Sequence, residues 1–221
     1  MGAVQTAASD AVAEHLRTAI HHGLYAPGDR LVERRIAGDL GVSHIPVREA
    51  LARLTEEGLV VRLPGRSARV RELDERSLDE LAVLRLLLER MVAVSVCDRF
   101  DATVEHELEA IVEAMRTAAQ RRDRAGLSEC DELFHTALWR HAGNGLLLEI
   151  AAQLRGRVAA FLRAATEALS DDELLEHAES HARLTAILAA RDRRAVGRAM
   201  EQHITAAATR IRRAHEAANA R

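Results

Sequence analysis

At 221 residues, with 48% apolar side chains, the chain can build one large domain or two small ones with packed cores. No run of about 18 apolar residues occurs, and the start, MGAVQTAASDAVAEHL, lacks a basic segment followed by an apolar one. These features argue against a membrane span and a secretory signal. The net charge of −3 would by itself argue against a nucleic-acid partner.

The distribution of charge reverses that inference. Residues 1–73 carry 10 Arg and 9 acids, whereas residues 74–221 carry 21 Arg and 25 acids. Between Gly58 and Arg71 there are four arginines (Arg62, Arg66, Arg69, Arg71) and no acid. Lysine is absent, so every basic side chain is an arginine, suited to phosphate and to two-pronged guanine contacts. Cys97 and Cys130 are far apart and outside any CxxC pair, consistent with reduced thiols and a cytoplasmic location.

In chain order, a first helix is expected from about Asp10 to His22, striped by Val12, Leu16, Ala19 and Ile20 and capped by Ser9 or Asp10. Gly23 ends it, and the Pro27-Gly28 turn leads to a second helix over Glu33–Leu40. A tight turn at Gly41 follows, then a third helix with Ser43 as cap and Pro46 in its first turn, where a missing N–H costs little. Val47, Leu51 and Leu54 face inward, while His44, Ile45 and Arg48 face out. Gly58 stops this helix. Short strands at Leu59–Leu63 and Ala68–Leu73, joined at Pro64-Gly65, form an arginine-rich hairpin. Helix, turn, helix and hairpin together spell a winged helix-turn-helix, whose second helix enters a DNA major groove.

A boundary is expected near Asp74–Ser77, giving domains 1–73 and 74–221. Six helices follow, at about 77–99, 101–122, 124–142, 146–169, 171–190 and 192–217. The fold class is therefore mainly α: a winged helix-turn-helix followed by an antiparallel six-helix bundle.

In the bundle, Asp131 and His135 are four residues apart and share a helix face. With His181 and His203 from the fifth and sixth of these helices, they form an Asp-His-His-His set suited to Zn, Mn, Ni or Fe. An exposed i,i+4 pair is the bland alternative, but Leu133, Phe134, Leu138 and Leu184 flank these groups. His21, His22, His141, His177 and His215 read as surface groups, and Cys130 as a small buried hydrophobe. Arg85, set among leucines, needs a partner: Glu89 one turn on, or the carboxylate of a ligand. Asn144 reads as a helix cap, with facing a cavity as the alternative.

PGDRL at 27–31 and VSHIPVREALARLTEEGLV at 42–60 resemble the DNA-binding signature of the GntR family of bacterial transcription regulators. LRLLLE at 84–89, DELFHTALWRHAGN at 131–144, SHARLTAILAARD at 180–192 and AMEQHI at 199–204 resemble the FCD-type ligand-binding domain of its FadR subfamily, in the VanR-like six-helix branch. The resemblance implies that Arg35, Ser43, Arg48 and Arg66, with His44 and Pro46 in the same turn and helix, meet operator DNA. It implies one divalent metal ion, most often zinc, on Asp131, His135, His181 and His203. It further implies a small organic acid near Arg85 and Asn144, a homodimer, and a repressor rather than an enzyme. Two positions depart from the family pattern: His44 stands where arginine is usual, and Ser67 where glycine is usual. Two rival readings are a metal-dependent enzyme acting on a small acid, and a regulator with a structural metal and an apolar or acyl effector.

Overall fold

The computed structural model describes every residue except 1, 22, 63–67, 73 and 220–221, and omits the side chains of 2–6, 21, 151–153, 155, 156, 160, 218 and 219. Two compact units are resolved: Met1–Asp74 with Gln153–Ala160, and Glu75–Ala152 with Phe161–Arg221.

The first unit runs α1 (Gly2–His21), β1 (Arg30–Leu31), α2 (Glu33–Leu40), α3 (His44–Glu56), β2 (Val60–Val61) and β3 (Ala68–Val70). The three strands form an antiparallel sheet in the order β1-β3-β2, with Arg30 opposite Arg69 and Val60 opposite Val70. The core is built by periodicity. Val12, Leu16 and Ile20 of α1, Ile36 of α2, and Val47, Leu51 and Leu54 of α3 are all buried, against Leu31, Val60 and Val70 of the sheet. Gly41 ends α2 at φ 65°, and Gly58 follows α3 at φ 79°, positions that favour a residue without Cβ.

Four local expectations are corrected here. α1 begins at Gly2 rather than Asp10, so neither Ser9 nor Asp10 caps it. Ser9 is buried inside the helix, and Asp10 pairs with Arg53 of α3. The Pro27-Gly28 turn leads first into β1, a two-residue strand too short to show alternation in sequence; Gly28 N–H donates to Val70 O (3.1 Å) and Val70 N–H to Asp29 O (2.9 Å). The hairpin strands are shorter than expected. Ser43 holds the extended backbone of a cap residue, but its side chain makes no capping hydrogen bond. The Pro64-Gly65 turn and Ser67 lie outside the described residues.

The second unit contains α4 (Glu75–Arg99), α5 (Ala102–Gln120), α6 (Arg124–His141), the two ends of α7 (Gly145–Glu167, whose stretch Gln153–Ala160 belongs to the first unit), α8 (Asp171–Ala189) and α9 (Arg193–Asn219). The breaks between them are set by side chains. Asp101, Asp123 and Asn144 accept from the first-turn N–H groups of α5, α6 and α7, and Ser170 with Glu173 forms a reciprocal capping box on α8. Val92, Val96, Leu108, Phe134, Trp139 and Met200 lie in its main core. No helix among the described residues is long and apolar enough to cross a membrane.

Candidate metal centre and nucleic-acid interface

The helix periodicity that buries Phe134 and Leu138 also turns Asp131 and His135 of α6 inward, where α8 brings His181 and α9 brings His203. One donor atom from each of these four residues lies within 4.8 Å of every other. Asp131 Oδ1 is 3.2 Å from His181 Nε2. Donors on a common ion at about 2.1 Å would sit about 3.0–3.4 Å apart, so this spacing suits coordination. His135 Nε2, His177 Nε2 and His181 Nε2 are buried and have no hydrogen-bond partner. Buried nitrogens of this kind are costly unless something else uses their lone pairs. The residues present therefore fit a divalent ion.

The surrounding groups hold the rings in the ligating tautomer. His135 Nδ1 lies 3.3 Å from Glu89 Oε2, which also accepts from Trp139 Nε1 at 3.0 Å. His181 Nδ1 lies 2.9 Å from the carbonyl oxygen of His177. An acceptor at Nδ1 places the proton there and leaves the Nε2 lone pair for the metal. Burial, then electrostatic interaction with the neighbouring imidazoles of His181 and His135, pushes His203 well below the ordinary imidazole range. Burial acts to raise Asp131, but contact with His177 and His181 outweighs it and holds this carboxyl well below its usual range. The site is thus one carboxylate facing imidazoles, His203 of them held neutral.

His177, expected at the surface, is buried, with its Nε2 3.1 Å from Asp131 Oδ1. Burial first, against the opposing pull of Asp131, lowers it to about 4. Its position resembles that of a fifth ligand, yet its tautomer argues otherwise. Arg210 Nη2 stands 3.3 Å from His177 Nδ1, and a guanidinium can only donate. The neutral ring therefore carries its proton on Nε2, the nitrogen facing Asp131. Two histidines one turn apart on α8 have opposite tautomers: His181 offers a lone pair, His177 an N–H. Composition and spacing could not show this. The only signal was that 177 and 181 share a helix face.

Arg85 is buried and paired with Glu89, Nε to Oε1 at 3.5 Å, the partner its i,i+4 position offered. Asn144 is exposed and accepts from Leu147 N at 3.2 Å, so its side chain is spent on the start of α7 rather than on a cavity. A cavity of about 600 Å³ opens between α8 and α9, walled by His177, His203, Gln202 and Arg210 among others, and neither Arg85 nor Asn144 lines it.

In the first unit, His44, Ile45 and Arg48 project from the exposed face of α3, and Ser43 is exposed beside them. Pro46 is buried, so it shapes the first turn and offers DNA no surface. Arg48 Nε lies 3.3 Å from Glu33 Oε2, and Arg62 Nη2 2.6 Å from Glu33 Oε1. Arg35 is largely exposed, 3.7 Å from Asp39. The hairpin arginines are less free than composition implied. Arg69 donates to Gly28 O at 2.7 Å and Arg71 to Gly58 O at 2.6 Å, tying the sheet to its own turns. Arg66 lies outside the described residues.

Residues 8–70 match the bacterial regulatory proteins of the gntR family, and residues 80–206 match the FCD domain. The chain is 30% identical over 197 residues to the HTH-type transcriptional regulator McbR of Escherichia coli K12, covering 87% of this chain and 89% of that one. It is 30% identical over 189 residues to the transcriptional repressor RspR of the same organism (86% and 82% covered). With the gluconate operon transcriptional repressor of Bacillus subtilis 168 it shares 32% over 151 residues (68% and 62%). The solved structure of E. coli McbR/YncC superposes with a TM-score of 0.81 at 28% identity, covering 90% and 93% of the two chains. A GntR regulator structure from Rhodococcus sp. RHA1 shares the fold at TM-score 0.78 and 23% identity, covering 92% and 96%. The chain belongs to the gntR family of transcription regulators, and its C-terminal part is an FCD domain.

Proposed function

We propose that this regulator is a homodimeric repressor whose operator binding is controlled by a small carboxylate bound at a metal ion. Residues 1–73 form the DNA-reading part and residues 74–221 the sensing part. Asp131, His135, His181 and His203 hold one divalent ion, most often zinc. Four protein donors leave room for a carboxylate oxygen to join an expanded coordination shell. The ion supplies Lewis acidity and charge; the chain supplies orientation through Glu89 and the His177 carbonyl. The observation that carries the reading is the pair of buried, unpartnered Nε2 atoms of His135 and His181 converging with Asp131.

DNA contact is assigned to Arg35, Ser43, His44 and Arg48, and to Arg66 in the hairpin. Two copies of α3 would occupy successive major grooves of a two-fold operator. A carboxylate can shift this binding only by favouring one arrangement of the protein over another.

Elemental mass spectrometry of untagged protein prepared without chelators tests the metal. About one equivalent in the wild type, lost in His181→Ala and His203→Ala, supports the reading. Absence of metal after reconstitution with Zn, Mn or Ni would overturn it.

A further inference from the structure

The cavity between α8 and α9 holds three arginines, and they are not equivalent. Arg213 is paired with Glu173 at 2.8 Å, and Arg183 with Glu176. Arg210 meets only the Nδ1 of His177, and among the described residues no carboxylate lies within ion-pairing distance of it. It is half-buried, and burial lowers its pKa from the ordinary guanidinium range; attraction to Asp131 and Glu173 opposes this, and repulsion from Arg85 and Arg213 adds to it. A guanidinium removed from water without an anion is a standing electrostatic cost. Five N–H donors are available, and the bond to His177 uses one of them.

Arg210 lies two helical turns from His203 on α9, and both line the same cavity. The electrostatic balance of the site points the same way. A divalent ion would outweigh the single carboxylate of Asp131, imidazoles that give it a lone pair add no charge, and Arg85 is paired with Glu89. Arg210 then adds a further positive charge that, among the described residues, no carboxylate pairs with directly, although Asp131 and Glu173 attract it at longer range. An anion with one acid group neutralises only part of this surplus; an anion with two neutralises it more fully, and a cavity of about 600 Å³ has space for such a molecule.

We propose that Arg210 is the anion-recognising residue of the sensing cavity, and that it selects small organic dianions, with one acid group on the metal and the second on the Arg210 guanidinium. This rests on the carboxylate reading above and narrows it. His177 is the positioning residue: by accepting from Nη2 it aims the remaining guanidinium edge into the cavity.

Isothermal titration of the zinc-loaded, full-length protein with succinate and with acetate tests the assignment. The wild type is expected to bind succinate at least about tenfold more tightly than acetate. Arg210→Gln is expected to keep about one zinc per chain and a cooperative melt, to lose about tenfold or more in succinate affinity, and to change acetate affinity by less than about threefold. Arg210→Lys, which keeps the charge but not the two-pronged donor, is expected to fall between them. An Arg210→Gln protein that binds succinate as tightly as the wild type overturns the role of Arg210 and leaves the carboxylate reading standing. A wild type that binds neither succinate, L-malate nor acetate overturns both.

Discussion

Glu89 Oε2 lies 3.3 Å from His135 Nδ1, and the same carboxylate is 3.5 Å from the buried Arg85. One carboxylate on α4 therefore orients the imidazole of a candidate ligand on α6 and neutralises a guanidinium on its own helix. Replacing it with the near-isosteric amide in Glu89→Gln should weaken zinc binding by about 10- to 100-fold although every ligand remains. Competition with a chromophoric chelator measures this. The metal-free variant should also lose about 3 kcal/mol of stability, because Arg85 is left buried without its counter-charge. Unchanged zinc affinity would show that Glu89 serves Arg85 alone.

His177 and His181 both present Nε2 to Asp131 Oδ1 and differ in what meets Nδ1, a guanidinium donor on His177 and a carbonyl acceptor on His181, and the difference can be measured. His181→Ala should abolish tight zinc binding. His177→Ala should retain about one zinc per chain with affinity reduced about tenfold, as expected when a supporting group rather than a ligand is lost. If both variants lose the ion entirely, His177 is a ligand and its assigned tautomer is wrong.

The capping box of α8 makes a prediction about acid. Hydrogen bonding from the Ser170 backbone, then Arg213, lowers Glu173 to about 2. A carboxyl depressed in the folded state contributes stability above its unfolded value, near 4.5, and loses it as pH falls toward 2. Glu173→Gln should therefore cost about 0.5–1 kcal/mol at pH 7, modest because the side chain is substantially exposed, and progressively less below pH 4.5, with almost nothing left near pH 2. Urea melts of the two proteins at the two ends of this range provide the comparison. An equal cost at both would assign the effect to shape rather than charge.

Glu33 holds both Arg48 and Arg62, so the charge available to a phosphate is set by one acid. Arg48→Ala should weaken binding to duplex DNA and lower the slope of log K against log salt by about 0.9, the amount expected for one lost phosphate contact. Glu33→Gln should act in the opposite direction by releasing both arginines. Fluorescence anisotropy over a salt series reads both. An Arg48→Ala slope equal to that of the wild type would remove Arg48 from the phosphate-contacting set.

Much of this protein follows from local chemistry alone. Val47, Leu51 and Leu54 bury because a helix returns every 3.6 residues, whatever it packs against. Gly41, Asp101, Asp123 and Ser170 end or start helices because backbone N–H and C=O groups at helix ends need partners within a few residues. Asp131 and His135 share a face for the same reason. Short-range ambiguity limited the reading elsewhere. Ser9 could cap a helix or ride within one, Asn144 could cap or face a cavity, and β1 exists only because β3 pairs with it.

What the tertiary structure decided are the meetings between distant segments. His177 reads as a surface histidine until α6 and α9 close over α8, bringing Asp131 to one side of its ring and Arg210 to the other. Glu89 reads as a partner for Arg85 until α6 sets His135 and Trp139 against it. The tautomers of His177 and His135, and hence which of their nitrogens can hold a metal, depend on partners 33 and 46 residues away, Arg210 and Glu89. Helix periodicity states which face a side chain occupies. Only the packing of helices states what that face meets, because hydrogen bonds and charges act over a few ångströms of space and not along the chain.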